Sequence, residues 1–326
     1  MAIALIAFWL RSSAFGANGF HNEDAAGITY NADLLRHGLL PLVDNFELKA
    51  PGSFFLTAWV WSLFGRSMEA LQVFICCWSI LAACGVYVGA RVLYGRSTAV
   101  ISSLGFTLLA PITDSIDINY GAWMITAYVW ATTFFVLALR TDRGRWWLAT
   151  GFMLALAGLL KRQAAVLFPL FALLILYQHK LVRPEGWPST GSRKKAFITF
   201  SMGLAAGFAP ITIWYASQGA FNEFVQGYFF SSSGWKYAQG QLGWAERLPR
   251  LGDGLMGFSE YLATPTLLAA VVVLTAIRSE RAFTVRGVFL GGLILCGFVG
   301  ATIGFRFFKG YYLQILPAMV WLAAHP

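Results

Sequence analysis

The chain of 326 residues is 58% hydrophobic and only 12% charged, and its mean hydropathy is +0.62. Polar side chains could not cover a water-soluble domain of this composition, so a soluble globular protein is excluded and a polytopic membrane protein is indicated. The net charge of +9 would suggest a nucleic-acid partner for a soluble chain, but here the basic residues concentrate in short loops, and we expect no such partner.

Apolar runs bounded by charged or turn residues predict membrane-spanning helices, each of which needs about 20 residues unless it packs within the protein. They predict about ten spans, and a further helix near residues 52–64 that is half-embedded. In chain order the predicted spans lie near residues 2–15, 68–90, 98–112, 119–139, 146–160, 164–178, 196–216, 261–277, 286–305 and 311–324. We therefore predict an all-α integral membrane fold, a polytopic helical bundle forming one domain over residues 1–326.

The first loop is predicted to face away from the cytoplasm. Basic residues concentrate in alternate loops, such as the one with Arg140, Arg143 and Arg145, whereas the opposite loops hold nearly all remaining acids. Because cytoplasmic loops carry the excess of Lys and Arg, the acidic loops lie outside.

This first outer loop is predicted to contain a short interfacial helix. The stretch GITYNADLLRHG spaces Ile28, Ala32 and Leu35 at i, i+4 and i+7 and ends at Gly38, which is typical of a helix stop. Such a helix is too short and too polar to span a membrane, so we expect it to lie in the interfacial plane. The loop has roughly 35 residues, far more than a connection between two spans needs, and such long loops in compact proteins are usually functional.

Three polar residues, Asn22, Glu23 and Asp24, come immediately before the predicted helix. On one interpretation Asp24 or Asn22 caps the helix, and the acids favour its positive end. On the other, a carboxylate held at the membrane surface acts as a general base that removes a proton from an acceptor hydroxyl or amine. The two interpretations are compatible, because three adjacent residues can divide the roles.

Basic residues on the outer side have two interpretations as well. In the stretch DNFELKAPG, Lys49 is either a snorkelling anchor or a cation that stabilises the charge growing on a departing phosphate. The same choice applies to Lys161 and Arg162, which lie at a turn between two apolar runs, and to Arg306. Asp114 and Asp117 belong either to a solvated turn or to a contact with sugar hydroxyls.

The remaining features are less specific. The aromatic and Gly-rich segment 222–248 is interpreted as a lid over the site or as an ordinary interfacial loop. The four cysteines lie in apolar runs without CxxC spacing, and His21 and His37 are weak evidence for metal binding. We therefore expect no disulfide framework and no cofactor, although a divalent cation is left open.

Three stretches carry a resemblance to a known family. The acidic pair, the interfacial helix ending in LLRHGLLPLVD and the following FELKAPGSFFLTAWVWSLFG resemble the membrane-embedded GT-C glycosyltransferases, most of all the bacterial relatives of the protein O-mannosyltransferases and the lipid A aminoarabinose transferase. WWLATGFMLALAGLLKRQAAVLFPLFALLIL and GFRFFKGYYLQILPAMVWLAA are similar to later spans of that family. The resemblance covers nearly the whole chain.

The resemblance implies an inverting enzyme of the cytoplasmic membrane with an outward-facing site. It would move a hexose or pentose from a polyprenyl-phosphate donor to an acceptor lipid, glycan or protein. The catalytic loop would be about residues 16–51. Asp24 matches the family's base and Glu23 its neighbour, while Lys49 matches the lysine that meets the donor phosphate.

The predicted site residues fall into three groups. The catalytic pair is Asp24 and Glu23. Donor phosphate binding is predicted for Lys49, Arg306, Lys161 and Arg162, and substrate binding for Glu47, Asp44, Asn119, Gln163 and Tyr311.

The sequence also departs from the family. Gly310 stands where a histidine is common, and the family's further C-terminal spans and domain are expected to be missing. Two other functions therefore stay open: a transporter or flippase of lipid-linked sugars, and a non-catalytic, truncated relative. The inverted repeats and broken helices that are typical of transporters are not evident in the sequence.

Overall fold

The computed structural model describes residues 2–15, 22–45, 47, 49–113, 115–184, 186–188, 191–230, 249–250, 252, 284–302 and 308–324. Within these ranges the chain is helical and forms no β-strand, which confirms the predicted all-α class. The helices are α1 (Ala2–Arg11), α2 (Glu23–Arg36), α3 (Gly52–Phe64), α4 (Met68–Tyr94), α5 (Arg96–Leu109), α6 (Tyr120–Thr141), α7 (Gly144–Leu160), α8 (Leu167–Tyr177), α9 (Arg193–Ser217), α10 (Phe221–Phe229), α11 (Val285–Thr302) and α12 (Leu316–Ala323).

Five helical stretches of the described residues are long and apolar enough to cross a membrane. They are α4, α6, α9, α11 and the stretch Arg162–Lys180, which contains α8. The helices α1, α3 and α7 are apolar but shorter. The number of spans therefore stays a prediction, and the predicted span 261–277 lies outside the described residues.

Helix α6 lies at the centre of the bundle. It is apolar nearly all round, as expected of a helix buried on every side, and it packs between α4 and α7. The Phe135 ring of α6 stacks on Phe171 of α8 with centroids 4.2 Å apart, and on Phe289 of α11 at 5.6 Å. Neighbouring helices thus hold α6 along its length, and its first residue lies at a fixed place at one end of the bundle.

Helices α7 and α9 pack with their backbones in contact. A Cβ atom on Gly151 would collide with the carbonyl oxygen of Phe200, and one on Gly203 would collide with that of Leu148. Small residues at such positions let two membrane helices approach closely, which increases their van der Waals contact. The site depends on this packing, because the residue that follows α7 is Lys161.

Helix α2 confirms the predicted helix in the first loop. Ile28 and Ala32 are fully buried, and the helix ends where Gly38 takes a positive φ of 81°. The N-terminal boundary was wrong: the helix begins at Glu23, so the two acids lie inside its first turn and not before it. The reason is that Asn22 caps the helix.

We expect Gly203→Ala to destabilise the protein because the new methyl group must push α7 and α9 apart. Overpacking of this kind costs about 1–3 kcal/mol. Gly291→Ala on α11 is the matched control, since nothing lies within 4 Å of a Cβ there, and the same change favours helix by up to about 1 kcal/mol. The midpoint of thermal aggregation in detergent should fall for the first variant only, and equal midpoints would contradict the close packing.

Candidate active site

The cap of α2 ties the acidic turn to the loop before α6. The Asn22 Oδ1 atom accepts a hydrogen bond from the backbone N–H of Ala25 at 2.7 Å, and Asn22 Nδ2 donates to Asp117 Oδ2 at 2.9 Å. Asn22, and not Asp24, is therefore the capping residue. The Asp24 side chain is left to face other groups, at the positive end of the helix, where a carboxylate is stabilised. Glu23 is exposed in the same turn.

Asp24 and Lys49 form an ion pair. Lys49 Nζ lies 2.5 Å from Asp24 Oδ1, and each side chain is 40% exposed. The predicted base and the predicted phosphate ligand are thus in direct contact, although 25 residues separate them in the chain. The exposure leaves both groups within reach of a ligand.

The segment that carries Lys49 is held by amide side chains. Asn31 Nδ2 donates to Glu47 Oε2 at 3.0 Å, and Glu47 Oε1 accepts the backbone N–H of Lys49 at 2.9 Å. Asn45 Nδ2 in turn donates to Asn31 Oδ1. Glu47 therefore orients the backbone at Lys49. The Asp44 carboxylate instead closes a turn by accepting the Leu40 N–H at 2.6 Å.

The N-terminus of α6 meets the ion pair from the other side. Lys49 Nζ lies 4.6 Å from the centre of the Tyr120 ring. Tyr120 was not among the predicted site residues, because an aromatic residue at the start of a span is typical of any membrane protein.

A second lysine lies at the same helix end. Asn119 caps α6 by accepting the Ala122 N–H at 2.8 Å. A Cβ atom on Gly121 would lie 3.7 Å from Lys161 Nζ, and that Nζ lies 4.4 Å from the centre of the Tyr311 ring. The first turn of α6 is therefore flanked by Lys49 and Lys161. Such a helix end, with its outward N–H groups and positive dipole, favours an anion.

Arg162 points to a different neighbour. Its Nη2 atom donates to the Gly227 carbonyl at 2.9 Å, and its guanidinium lies 5.2 Å from the centre of the Tyr228 ring on α10. Burial raises the pKa of the Tyr228 phenol, and the positive charge of Arg162 opposes that rise. Within the described residues, the buried Arg162 Nε and Gln163 Oε1 have no hydrogen-bond partner. Arg162 thus anchors α10 and keeps one donor for a further contact.

Several predictions fall outside the described residues: Arg306, Asp114, His21 and most of the segment 222–248. The structure brings together Asp24, Lys49, Glu47 and, through the start of α6, Asn119, Lys161 and Tyr311. In the part of the chain that the structure describes, no three His, Cys, Asp or Glu residues are grouped as for a metal ion. That finding does not test the expectation about cofactors.

Comparison by sequence identifies the family. The sequence model of the family described as dolichyl-phosphate-mannose-protein mannosyltransferase matches residues 48–214, more than half of the chain. The chain belongs to this family. Membership confirms the resemblance to the GT-C glycosyltransferases. Comparison with curated proteins found no match by sequence.

Solved structures show the same fold. ArnT from Cupriavidus metallidurans bound to undecaprenyl phosphate is similar with a TM-score of 0.69 at 15% identity, over 99% of this chain and 58% of that one. The Archaeoglobus fulgidus oligosaccharyltransferase in complex with Zn and sulfate gives 0.59 at 14%, over 99% and 48%. AglB from the same organism, with an inhibitory peptide and a dolichol-phosphate, gives 0.56 at 14%, over 99% and 49%. The chain thus spans about half to three fifths of the length of these three proteins.

The cap at Asn22 can be tested apart from its bond to Asp117. Asn22→Ala removes both hydrogen bonds and should cost about 1 kcal/mol through the lost cap alone. Asn22→Ser keeps an oxygen that can cap the helix but loses the amide donor. We expect the thermal midpoint of the Ser variant to lie closer to that of the wild type. If both variants unfold at the same temperature, the cap contributes nothing to stability.

Proposed function

We propose that the protein is an integral membrane glycosyltransferase that moves a sugar from a polyprenyl-phosphate donor to an acceptor lipid, glycan or protein. The reaction takes place at the outer face of the cytoplasmic membrane. Membership of the mannosyltransferase family supports this proposal, and so does the fold shared with ArnT and AglB, which were seen with undecaprenyl phosphate and dolichol-phosphate respectively.

The contact between Asp24 and Lys49 carries the proposal. It joins a base to a phosphate ligand beside a helix end that favours anions and has a second cation, Lys161. A purely structural ion pair would need neither the second lysine nor the helix end. Exposed pairs of this kind contribute only about 0–1 kcal/mol, so an incoming phosphate can take Lys49 from Asp24.

The reaction then follows from the charges. The donor phosphodiester carries one negative charge, and Lys49 moves to it from Asp24. Asp24, now without its cation, accepts the proton of the acceptor hydroxyl or amine as that group attacks the anomeric carbon with inversion. The bond from the anomeric carbon to the phosphate oxygen breaks, and the polyprenyl phosphate leaves with a second negative charge.

Because this charge grows as the bond breaks, cations around the phosphate stabilise the transition state more than the ground state. Lys49 and Lys161 lie at the start of α6 and are proposed for this task, together with Arg306 from the late outer loop. Arg162 Nε and Gln163 Oε1, which have no hydrogen-bond partner among the described residues, are proposed to contact the donor beside α10.

Asp24→Asn should lower the rate of sugar transfer by about 10²–10⁴-fold, the usual contribution of a general base, with little loss of donor binding. The assay uses purified protein and a panel of radiolabelled undecaprenyl-phosphate sugars. Asp33→Asn is the matched control, because Asp33 is on the same helix and also forms an ion pair, with Arg66 at 2.8 Å. Full turnover in Asp24→Asn would contradict the mechanism.

Lys49→Ala should weaken the binding of undecaprenyl phosphate about tenfold to a hundredfold, since a hydrogen bond to a charged group is worth about 1.5–3 kcal/mol. Arg66→Ala removes the basic residue of the Asp33–Arg66 ion pair and should leave the dissociation constant unchanged. An unchanged constant for Lys49→Ala would remove Lys49 from the donor site.

The same purified protein distinguishes the two remaining functions. In sealed vesicles a flippase would move the labelled lipid across the bilayer without transferring its sugar. A non-catalytic relative would do neither. Covalent appearance of label in an acceptor supports only the transferase.

A further inference from the structure

We propose that the Tyr120 ring positions Lys49. The ring holds the ammonium group near the site while that group moves from Asp24 to the donor phosphate. The inference rests on the proposed function and adds a residue to its machinery.

The ring is fixed in place from two directions. Tyr120 is the first residue of α6, directly after the cap Asn119, and is only 4% exposed. The neighbouring Phe54 ring of α3 packs against it in a T-shaped arrangement, with centroids 6.2 Å apart and an interplanar angle of 79°. Because α6 is itself enclosed by other helices, the ring cannot follow Lys49 when the ammonium moves.

Lys49 has two partners of different kinds. Its Nζ atom lies 2.5 Å from Asp24 Oδ1 and 4.6 Å from the centre of the Tyr120 ring, within the range of a cation–π interaction. The carboxylate contact must be lost when a phosphate takes the ammonium. The ring carries no net charge and does not compete with the phosphate for the ammonium. The contact with the ring can therefore persist both when Lys49 pairs with Asp24 and when it binds the phosphate.

Retention of the ammonium matters because lysine is long and flexible. A lysine side chain freed from its only partner would regain its rotamers and move away towards water, and a phosphate would have to order it again. A fixed ring face limits this loss and keeps the cation at the start of α6. The effect belongs to donor binding and not to proton transfer.

The hydroxyl group of Tyr120 is not needed for this role. It is buried and has no hydrogen-bond partner within the described residues. The aromatic face, and not the phenolic oxygen, is what contacts Lys49. Tyrosine and phenylalanine should therefore serve equally well at this position.

The experiment measures the binding of undecaprenyl phosphate to the purified full chain. We expect Tyr120→Phe to bind within about twofold of the wild type, and Tyr120→Leu about three- to thirtyfold more weakly, the range of a cation–π contact. Pentafluorophenylalanine at position 120 keeps the shape of phenylalanine but reverses the sign of the ring quadrupole. The variant that carries it should therefore bind undecaprenyl phosphate as weakly as Tyr120→Leu. This variant keeps the test valid if Tyr120→Leu does not fold.

Tyr128 provides the matched control. It is on the same helix, equally buried, and its hydroxyl also has no hydrogen-bond partner in the described part of the chain. Tyr128→Phe and Tyr128→Leu should leave binding unchanged. The Tyr120→Leu and Lys49→Ala changes should also be non-additive, because the ring acts only through the ammonium.

The outcomes separate this inference from the proposed function. Equal loss in Tyr120→Phe and Tyr120→Leu would overturn the role of the ring, as would full binding with pentafluorophenylalanine or strict additivity with Lys49→Ala. If the wild type binds no undecaprenyl phosphate at all, the proposed function fails instead. Binding by the wild type that needs Lys49 but not the ring leaves the function standing and the inference refuted.

Discussion

The ammonium of Lys49 and the carboxylate of Asp24 form an ion pair at a place where three separate parts of the chain come together. The turn after the Asn22 cap provides the carboxylate, the segment held by Glu47 provides the ammonium, and the first turn of α6 provides the ring beneath it. Each part is fixed by hydrogen bonds of its own, so the contact results from the fold and does not itself hold the fold together. Because this exposed ion pair is weak and the segments that carry it are fixed, an incoming anion can replace Asp24 as the partner of Lys49.

The amide side chains explain why these segments are fixed. Asn22, Asn31 and Asn119 each form hydrogen bonds to backbone or carboxylate groups beside the site. An amide has both donors and an acceptor and no charge to compete with the site. The first loop is thus held in place by its own hydrogen bonds although it is polar.

Some of this could be predicted from the sequence. The periodicity of Ile28, Ala32 and Leu35 predicted α2, and the family resemblance assigned Asp24 and Lys49. The choice of Asn22 over Asp24 as cap could not be made, because Asn and Asp are both preferred cap residues. In the structure the cap is Asn22, whose side chain also donates to Asp117. Tyr120 could not be found, since contacts between residues 49 and 120 leave no local pattern. The roles of Arg162 and Asp44 depend on long-range and turn contacts that spacing does not encode.

The enclosure of α6 has a consequence for how proteins of this family diverge. A helix that packs against other helices on all sides keeps its N-terminus in a fixed position, whatever changes occur in the neighbouring loops. Under the proposed function, changes in the connecting segments can then alter which molecule receives the sugar without moving the place where the leaving polyprenyl phosphate is held. Under that function the buried helix keeps the phosphate end of the site constant, while the loops are free to adapt to different acceptors.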